Sequence, residues 1–210
     1  MKSNLFTFLI FSCVLFLNSC AKVYHVPNIS TIVQEQKEIA IITPQVIMDK
    51  RATISENTID EQQFSEAIYL QFEMYDWMLK RQRKGQFVAD IQIQDVVKTN
   101  ETLEAAGFFD GQAYTNKEVC ELLGVDAILF STYTLDVPFD VGTVATAVLL
   151  DDWNPHQRTT VDLSIYDNKE QELIWNYKNK LRTTVSNPDQ FVTSFMQNAS
   201  KKMPYFLEKN

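Results

Sequence analysis

Two histidines, three cysteines and five glycines are scarce in a chain of 210 residues, and each scarcity removes a class of chemistry. The glycines form no glycine-rich phosphate loop, and neither the G-x-S-x-G nucleophile elbow nor the H-E-x-x-H zinc motif occurs. Two histidines cannot supply a multi-histidine metal centre. His25 stands near the N-terminus, while His156 lies in "DDWNPHQR", where Asp151, Asp152 and His156 are the candidate set for a shared cation in a metal-dependent hydrolase. Asn154-Pro155 make a polar turn the simpler reading of that stretch. The sequence implies no cofactor, no metal site and no catalytic residue, and the expected protein is not an enzyme. Positive charge is also short, with 19 Lys and Arg against 27 Asp and Glu, a formal net charge of -8. So acidic a chain carries no electrostatic footprint for nucleic acid. The acidity also argues against broad contact with anionic lipid headgroups. No apolar run reaches the roughly 20 residues that a membrane-spanning helix needs.

What is present begins at the N-terminus. After Lys2, the run Leu5 to Leu17 is apolar for about 13 residues, the length of a secretory signal core. Leu17-Asn18-Ser19-Cys20 follows: an aliphatic residue, then a small residue immediately before a cysteine. That order resembles the bacterial lipobox, in which the cysteine thiol receives a diacylglycerol and the peptide is cut between Ser19 and Cys20. Cleavage removes Cys13 and acylation consumes Cys20, so Cys120 would remain alone and no disulfide framework is expected. Ala21 is not the aspartate that commonly retains lipoproteins in the inner membrane, and Lys22-Val23-Tyr24 lacks an acidic surface-display run. By resemblance to lipoprotein signals, the expected address is the outer membrane, lipid-anchored and facing the periplasm.

Three segments are expected: a signal peptide at 1–19, a lipidated N-terminus and tether at 20–37, and one α/β periplasmic domain at 38–207. The tether expectation rests on the lack of any period in 21–37. "IAIITPQVIM" is a β-branched run broken near Pro44. Phe64, Ile68, Phe72, Tyr75 and Leu79 recur at helical spacing and predict an amphipathic helix from about Asp60 to Arg83, stopped by Gly85. Phe87 to Val97 alternates as a strand. A short helix capped by Thr99 or Asn100 and stopped by Gly107 comes next, then one with the capping-box pair Thr115 and Glu118 and a stop at Gly124. Cys120 lies on the second of these, as a buried small residue. Val125 to Val137 reads as a central strand, Asp140 to Leu150 as a short apolar helix or a further strand, and Thr159 to Leu181 as a hairpin turning at Asn168 to Gln171. Pro188 opens a last helix with Phe191, Val192, Phe195, Met196 and Ala199 on one face. The expected fold is α/β (α+β): a mixed β-sheet packed with helices in the order β-α-β-α-α-β-(α)-β-β-α, an anticodon-binding-domain-like sandwich. Tyr75, Trp77, Trp175 and Tyr177 are expected in its core and at its rim.

The stretches "IAIITPQV", "QFEMYDWMLKRQRKGQFVADIQIQDVVKTNETLEAAG", "YTNKEVCELLGVDAILFSTYTL", "SIYDNKEQELIWNY" and "ASKKMPYF" resemble uncharacterised lipoproteins of Bacteroidota. Their bodies are similar to the curli-secretion lipoprotein (CsgG-like) domain and to the N-terminal domain of the TolB family. That resemblance spans about 38–206 and implies an α/β sandwich with a role in envelope assembly or secretion. The curli pore forms its channel from amphipathic hairpins, and neither Asp140–Leu150 nor Thr159–Leu181 carries about ten residues of alternating, lipid-compatible pattern on two strands.

The expected function is therefore an accessory, non-enzymatic lipoprotein that binds an envelope protein or polymer, with a subunit of an oligomeric secretion or transport assembly as the alternative. Val144, Val148, Leu149, Trp153 and His156 are the candidate interaction surface, through docking of the short apolar segment on a partner. If Cys20 is the lipid site, a Cys20→Ala protein loses acyl labelling and leaves the membrane fraction in metabolic labelling and fractionation; retained label refutes the lipobox reading.

Overall fold

The computed structural model describes residues 21–48, 56–135, 157–183 and 188–207. Its framework is a mixed sheet assembled on one central strand. The apolar run "AILFSTYTL" forms β5 (Ala127–Leu135). Pro44 interrupts the preceding β-branched run, giving β2 (Glu38–Ile41) and β3 (Gln45–Met48). Both pair in parallel with β5, β2 from Ile39 opposite Ala127 and β3 from Gln45 opposite Thr132. On the other side β6 (Gln157–Asp167) runs antiparallel to β5, β7 (Glu172–Thr183) pairs with β6, and β1 (Lys22–His25) closes that edge. The opposite edge is β4 (Gln92–Ile93), so the order is β1-β7-β6-β5-β2-β4, with β3 also on β5.

Helices cover both faces. One face carries Ile39, Ile41, Leu129, Tyr133, Leu163, Ile165 and Trp175. The long helix α2 (Glu56–Gln82) and α5 (Pro188–Ala199) lie over it, burying Leu70, Met74 and Met78 from the first and Phe191, Phe195 and Met196 from the second. Aromatic rings dominate this larger core: Tyr133 stands 5.7 Å from Phe195, Phe191 5.2 Å from Phe195, and Trp175 stacks on Tyr177 at 6.0 Å. Trp175 Nε1 also donates to the Lys202 carbonyl at 2.8 Å, tying β7 to the segment after α5. The second face carries Ala40, Ile42 and Ile128 under α3 (Val96–Ala105) and α4 (Asn116–Leu123), which bury Leu103, Val119, Cys120 and Leu123. This is a mixed α+β fold, and from Glu38 onward the order of the described elements roughly matches the expected one, the Asp140–Leu150 segment lying outside the described residues.

Local cues hold where they are complete within a few residues. Glu118 N–H donates to Thr115 Oγ1 at 3.3 Å while Thr115 N–H donates to Glu118 Oε2 at 2.7 Å, the reciprocal capping box of α4. The Thr115 N–H, with the Thr115 hydroxyl donating to the same oxygen at 2.8 Å, lowers the pKa of the Glu118 carboxyl from its ordinary value. Gly124 ends the helix with φ +67°, a left-handed cap that favours glycine.

Three expectations fail, two for a tertiary reason and one through a local cap. Residues 22–35 are not a tether: β1 pairs with β7 from Lys22 opposite Lys178 to His25 opposite Trp175, and α1 (Ile29–Glu35) buries Ile32 and Val33 in the larger core. All four β1 residues are exposed on this edge, so no period-2 signal was there to read. The strand expected over Phe87 to Val97 shrinks to Gln92–Ile93, because Asp95 accepts from Val97 N–H at 2.9 Å and Lys98 N–H at 3.3 Å and starts α3 early. Thr99 and Asn100 therefore sit inside that helix rather than capping it.

Finally, α2 is rotated. Its buried stripe is Ala67, Leu70, Met74, Trp77 and Met78, whereas Phe64 and Phe72, expected inside, are 51% and 41% exposed. Two apolar stripes share this helix, and a buried polar contact selects one. Gln71 Nε2 donates to the Ile41 carbonyl at 2.7 Å and to Asn100 Oδ1 at 2.9 Å, and Asn100 Nδ2 donates back to Gln71 Oε1 at 2.8 Å. Turning Phe72 inward would swing Gln71 off these partners and strand buried amides.

The folded N-terminal segment gives a direct check. Ile32→Ala should lower unfolding stability by about 2–4 kcal/mol in denaturant titration, as for a core isoleucine, whereas a tether residue would change it by less than about 0.5 kcal/mol.

Candidate interaction surface

Cys20 and Ser19, the surface candidates Val144, Val148, Leu149, Trp153 and His156, and Asp151 and Asp152 all lie outside the described residues. Among the described residues, no group of three or more His, Cys, Asp or Glu side chains is placed to hold a metal ion. Several polar groups serve the fold. Asp126 accepts from Lys37 N–H at 2.7 Å and Glu38 N–H at 3.0 Å, locking the start of β2 to the start of β5. Asp167 accepts from Gln36 Nε2 at 2.6 Å and from Glu170 N–H at 2.8 Å, joining the end of α1 to the β6–β7 turn. Cys120 lies on the buried face of α4, and burial, with the nearby Asp167 carboxylate, pushes its thiol up to about 12. A thiol so held stays protonated and unreactive at neutral pH.

A different surface comes together where α2 meets the loop after α3. Gly107 (φ +77°) and Gly111 (φ +85°) bracket Phe108-Phe109-Asp110, which coils as a 3-10 turn. The positive φ at both ends requires glycine and lets the turn fold back on α2. Phe109 then meets Phe64 edge-on at 5.6 Å, Phe108 meets Phe109 edge-on at 5.4 Å, and Tyr114 stacks on Phe108 at 6.0 Å. Tyr114 is held by donating its hydroxyl to the Ala106 carbonyl at 2.5 Å. Among the described residues, Pro44, Val46, Phe64, Ala67, Phe108 and Phe109 line a groove of about 320 Å³, with Thr43, Gln45 and Gln63 as its polar members and no charged side chain. Ile68 and Phe72 extend the apolar stripe along α2 at four-residue spacing.

The lining chemistry, aromatic edges with a few amide and hydroxyl groups, suits an apolar side chain presented by another molecule. The sequence reading assigned Phe64 and Phe72 to the core and left Phe108 and Phe109 without a role. The usable signal was "GFFDG", two adjacent phenylalanines bracketed by glycines between two short helices.

A second, more polar cavity of about 610 Å³ lies between the ends of α2 and α5, lined by Trp77, Arg81, Asn198, Lys201 and Phe206 among others. The Arg81 guanidinium lies 3.1 Å over the Trp77 ring and donates to the Trp77 carbonyl at 3.1 Å. Burial lowers its pKa from the ordinary value, yet an arginine stays charged. Arg81 stands in the last turn of α2, where its positive charge complements the helix dipole.

The fold class is thus a mixed sheet carrying an unequal pair of helical layers. No protein-family model and no curated protein sequence matches this chain. Among solved structures, it is similar to lipoprotein GNA1162 from Neisseria meningitidis at 12% identity and a TM-score of 0.43, covering 79% of this chain and 94% of that one. It is also similar to the LpoB C-terminal domain from Salmonella enterica, at 10% identity and a TM-score of 0.37 with 75% and 94% covered. PelC from Paraburkholderia phytofirmans, a dodecamer, matches at 7% identity and a TM-score of 0.39, with 90% and 99% covered. These values describe a distant likeness of chain path, and nothing about the site or its ligand is taken from them.

The buried thiol supplies a testable consequence. Iodoacetamide should leave Cys120 of the native protein unmodified at pH 8 and alkylate it on unfolding. Because the folded thiol titrates above the unfolded one, its contribution to stability is intact below about pH 8.5 and is lost as pH rises toward 12. A Cys120→Ala variant should show a smaller alkaline loss of stability in denaturant titrations across that range.

Proposed function

We propose that this chain is a non-enzymatic lipoprotein of the outer membrane, anchored through Cys20, whose periplasmic body docks another envelope protein as an accessory factor in envelope assembly or secretion. The observation that carries the docking role is the aromatic groove of Phe64, Phe108 and Phe109 beside the exposed Phe72, an apolar surface held in place by one turn with a glycine at each end. Isolated exposed apolar residues are ordinary, but a concave cluster of aromatic side chains without charge is the composition of a protein-binding hot spot. The apolar signal core and the Cys20 register support the address. The partner is expected to present an aromatic or branched aliphatic side chain, because the groove offers apolar edges and neutral hydrogen-bonding groups.

A photo-crosslinking residue at Gln63, in native envelopes, tests this. A discrete heterologous adduct should form and should weaken at least tenfold in Phe109→Ala and Phe64→Ser proteins that keep wild-type expression and melting behaviour. A self-adduct instead would favour the assembly-subunit reading, and an adduct indifferent to both substitutions would refute the groove as the docking site.

A further inference from the structure

The register of β1 determines where the N-terminus leaves the sheet. Lys22 stands opposite Lys178, Lys178 opposite Asp162, Asp162 opposite Thr132, and Thr132 opposite Gln45. β1 is antiparallel to β7, so the chain running back from Lys22 heads toward the next row, Lys180, Thr160, Thr134 and Ile47. Only Ala21 separates Lys22 from Cys20, a span of at most about 7 Å. A lipid on Cys20 would therefore hold these two rows close to the headgroups, with no tether to stand the body off.

The side chains in these rows share one face. Tyr133, Val161, Leu163 and Tyr177 point into the larger core, so their alternating neighbours Thr132, Thr134, Thr160, Asp162, Lys178 and Lys180 point to the opposite face, as does Lys22 beside Lys178. The helices α3 and α4 cover that face only over Ala40, Ile42 and Ile128 and their surroundings. Lys22, Lys178 and Lys180 are consequently exposed. Asp162 is the single carboxylate in these rows, and it is engaged, accepting from Asn176 Nδ2 at 2.6 Å and Lys178 Nζ at 2.8 Å. Among the described residues, this sheet face thus gathers three lysines and threonine hydroxyls with Asp162 as the one carboxylate of the two rows, in a protein of net charge -8.

We propose that this open sheet face is a headgroup-docking surface: Lys22, Lys178 and Lys180 engage the phosphates of an anionic bilayer and orient the body beside its lipid. This rests on the Cys20 lipidation reading. The two chains of a diacylglycerol on Cys20 suffice for attachment, so the role of the lysines is to set the orientation of the body against the headgroups. The acidity of the rest of the chain does not cancel it, because at about 0.1 M salt charges are screened over about 10 Å.

The test separates the two claims. The full mature chain carrying Cys20→Ala is mixed at low ionic strength with vesicles of phosphatidylglycerol and phosphatidylethanolamine, or of phosphatidylcholine alone. Binding is expected to the anionic vesicles only, to fall about fivefold for each lysine removed in a Lys22→Gln/Lys180→Gln protein, to rise in Asp162→Asn, and to fade with added salt. Equal binding to both compositions, no binding to either, or indifference to the lysine substitutions overturns the docking surface. Mass analysis of Cys20 in the wild-type chain decides the anchor independently. An unacylated Cys20 with lysine-dependent binding would sink the anchor and leave the surface, whereas an acylated Cys20 without such binding would do the reverse.

Discussion

Strand β5 is the constraint on which the rest of the molecule depends. It is the only described strand that pairs with three others, taking β2 and β3 in parallel on one side and β6 in antiparallel on the other. Parallel neighbours require both faces to be covered, and β5 meets that requirement unevenly. Leu129 and Tyr133 enter the aromatic core under α2 and α5, Ile128 enters the smaller core under α3 and α4, and Thr132 and Thr134 emerge where the second layer stops. The open polar face and the two closed cores are one consequence of where α3 and α4 end on this strand.

Buried polar contacts then decide how the layers are aligned. The Gln71–Asn100 amide pair, with Thr43 Oγ1 donating to Asn100 Oδ1 at 3.1 Å, joins α2, α3 and the β2–β3 break in one network. Apolar burial alone is non-directional, and α2 could satisfy it with either of its two stripes. Directional bonds that are costly to leave unmade choose between them. The choice turns Phe64 and Phe72 outward, and the groove beside Phe108 and Phe109 exists because of it. A core hydrogen-bond network thus determines the chemistry of a surface.

The two proposed surfaces draw on different physics. The groove is small, aromatic and neutral, suited to one apolar side chain, and its walls belong to a helix and a glycine-bracketed turn. The lysine face is flat and charged, suited to a surface without fixed partners, and it is built on paired strands whose register holds the cations apart. A body held at a membrane by the second would present the first in a constant orientation, which is what an accessory factor working on a fixed envelope partner requires.

Features set by a few neighbouring residues were legible in the sequence: the break at Pro44, the Thr115–Glu118 capping box, the Gly124 stop, the β6–β7 hairpin, the buried stripe of α5 and the burial of Cys120. Each depends on dihedral preference, spacing or a cap, all of them local. The Cys20 register is local in the same way, being a question of which residue types adjoin. Tertiary structure alone decided the rest. An edge strand exposed on both faces has no period, so β1 looked like tether until β7 was there to pair with it. The Asp95 cap of α3 is the exception, a local contact reaching only Val97 and Lys98, with Thr99 inside the helix donating to Gln94 Oε1 at 3.0 Å. The rotation of α2 and the exposure of its phenylalanines depended on partners about 30 residues away in sequence, at Ile41 and Asn100. The chain by itself determined which elements form. Long-range hydrogen bonds and strand register decided which of their faces the protein shows.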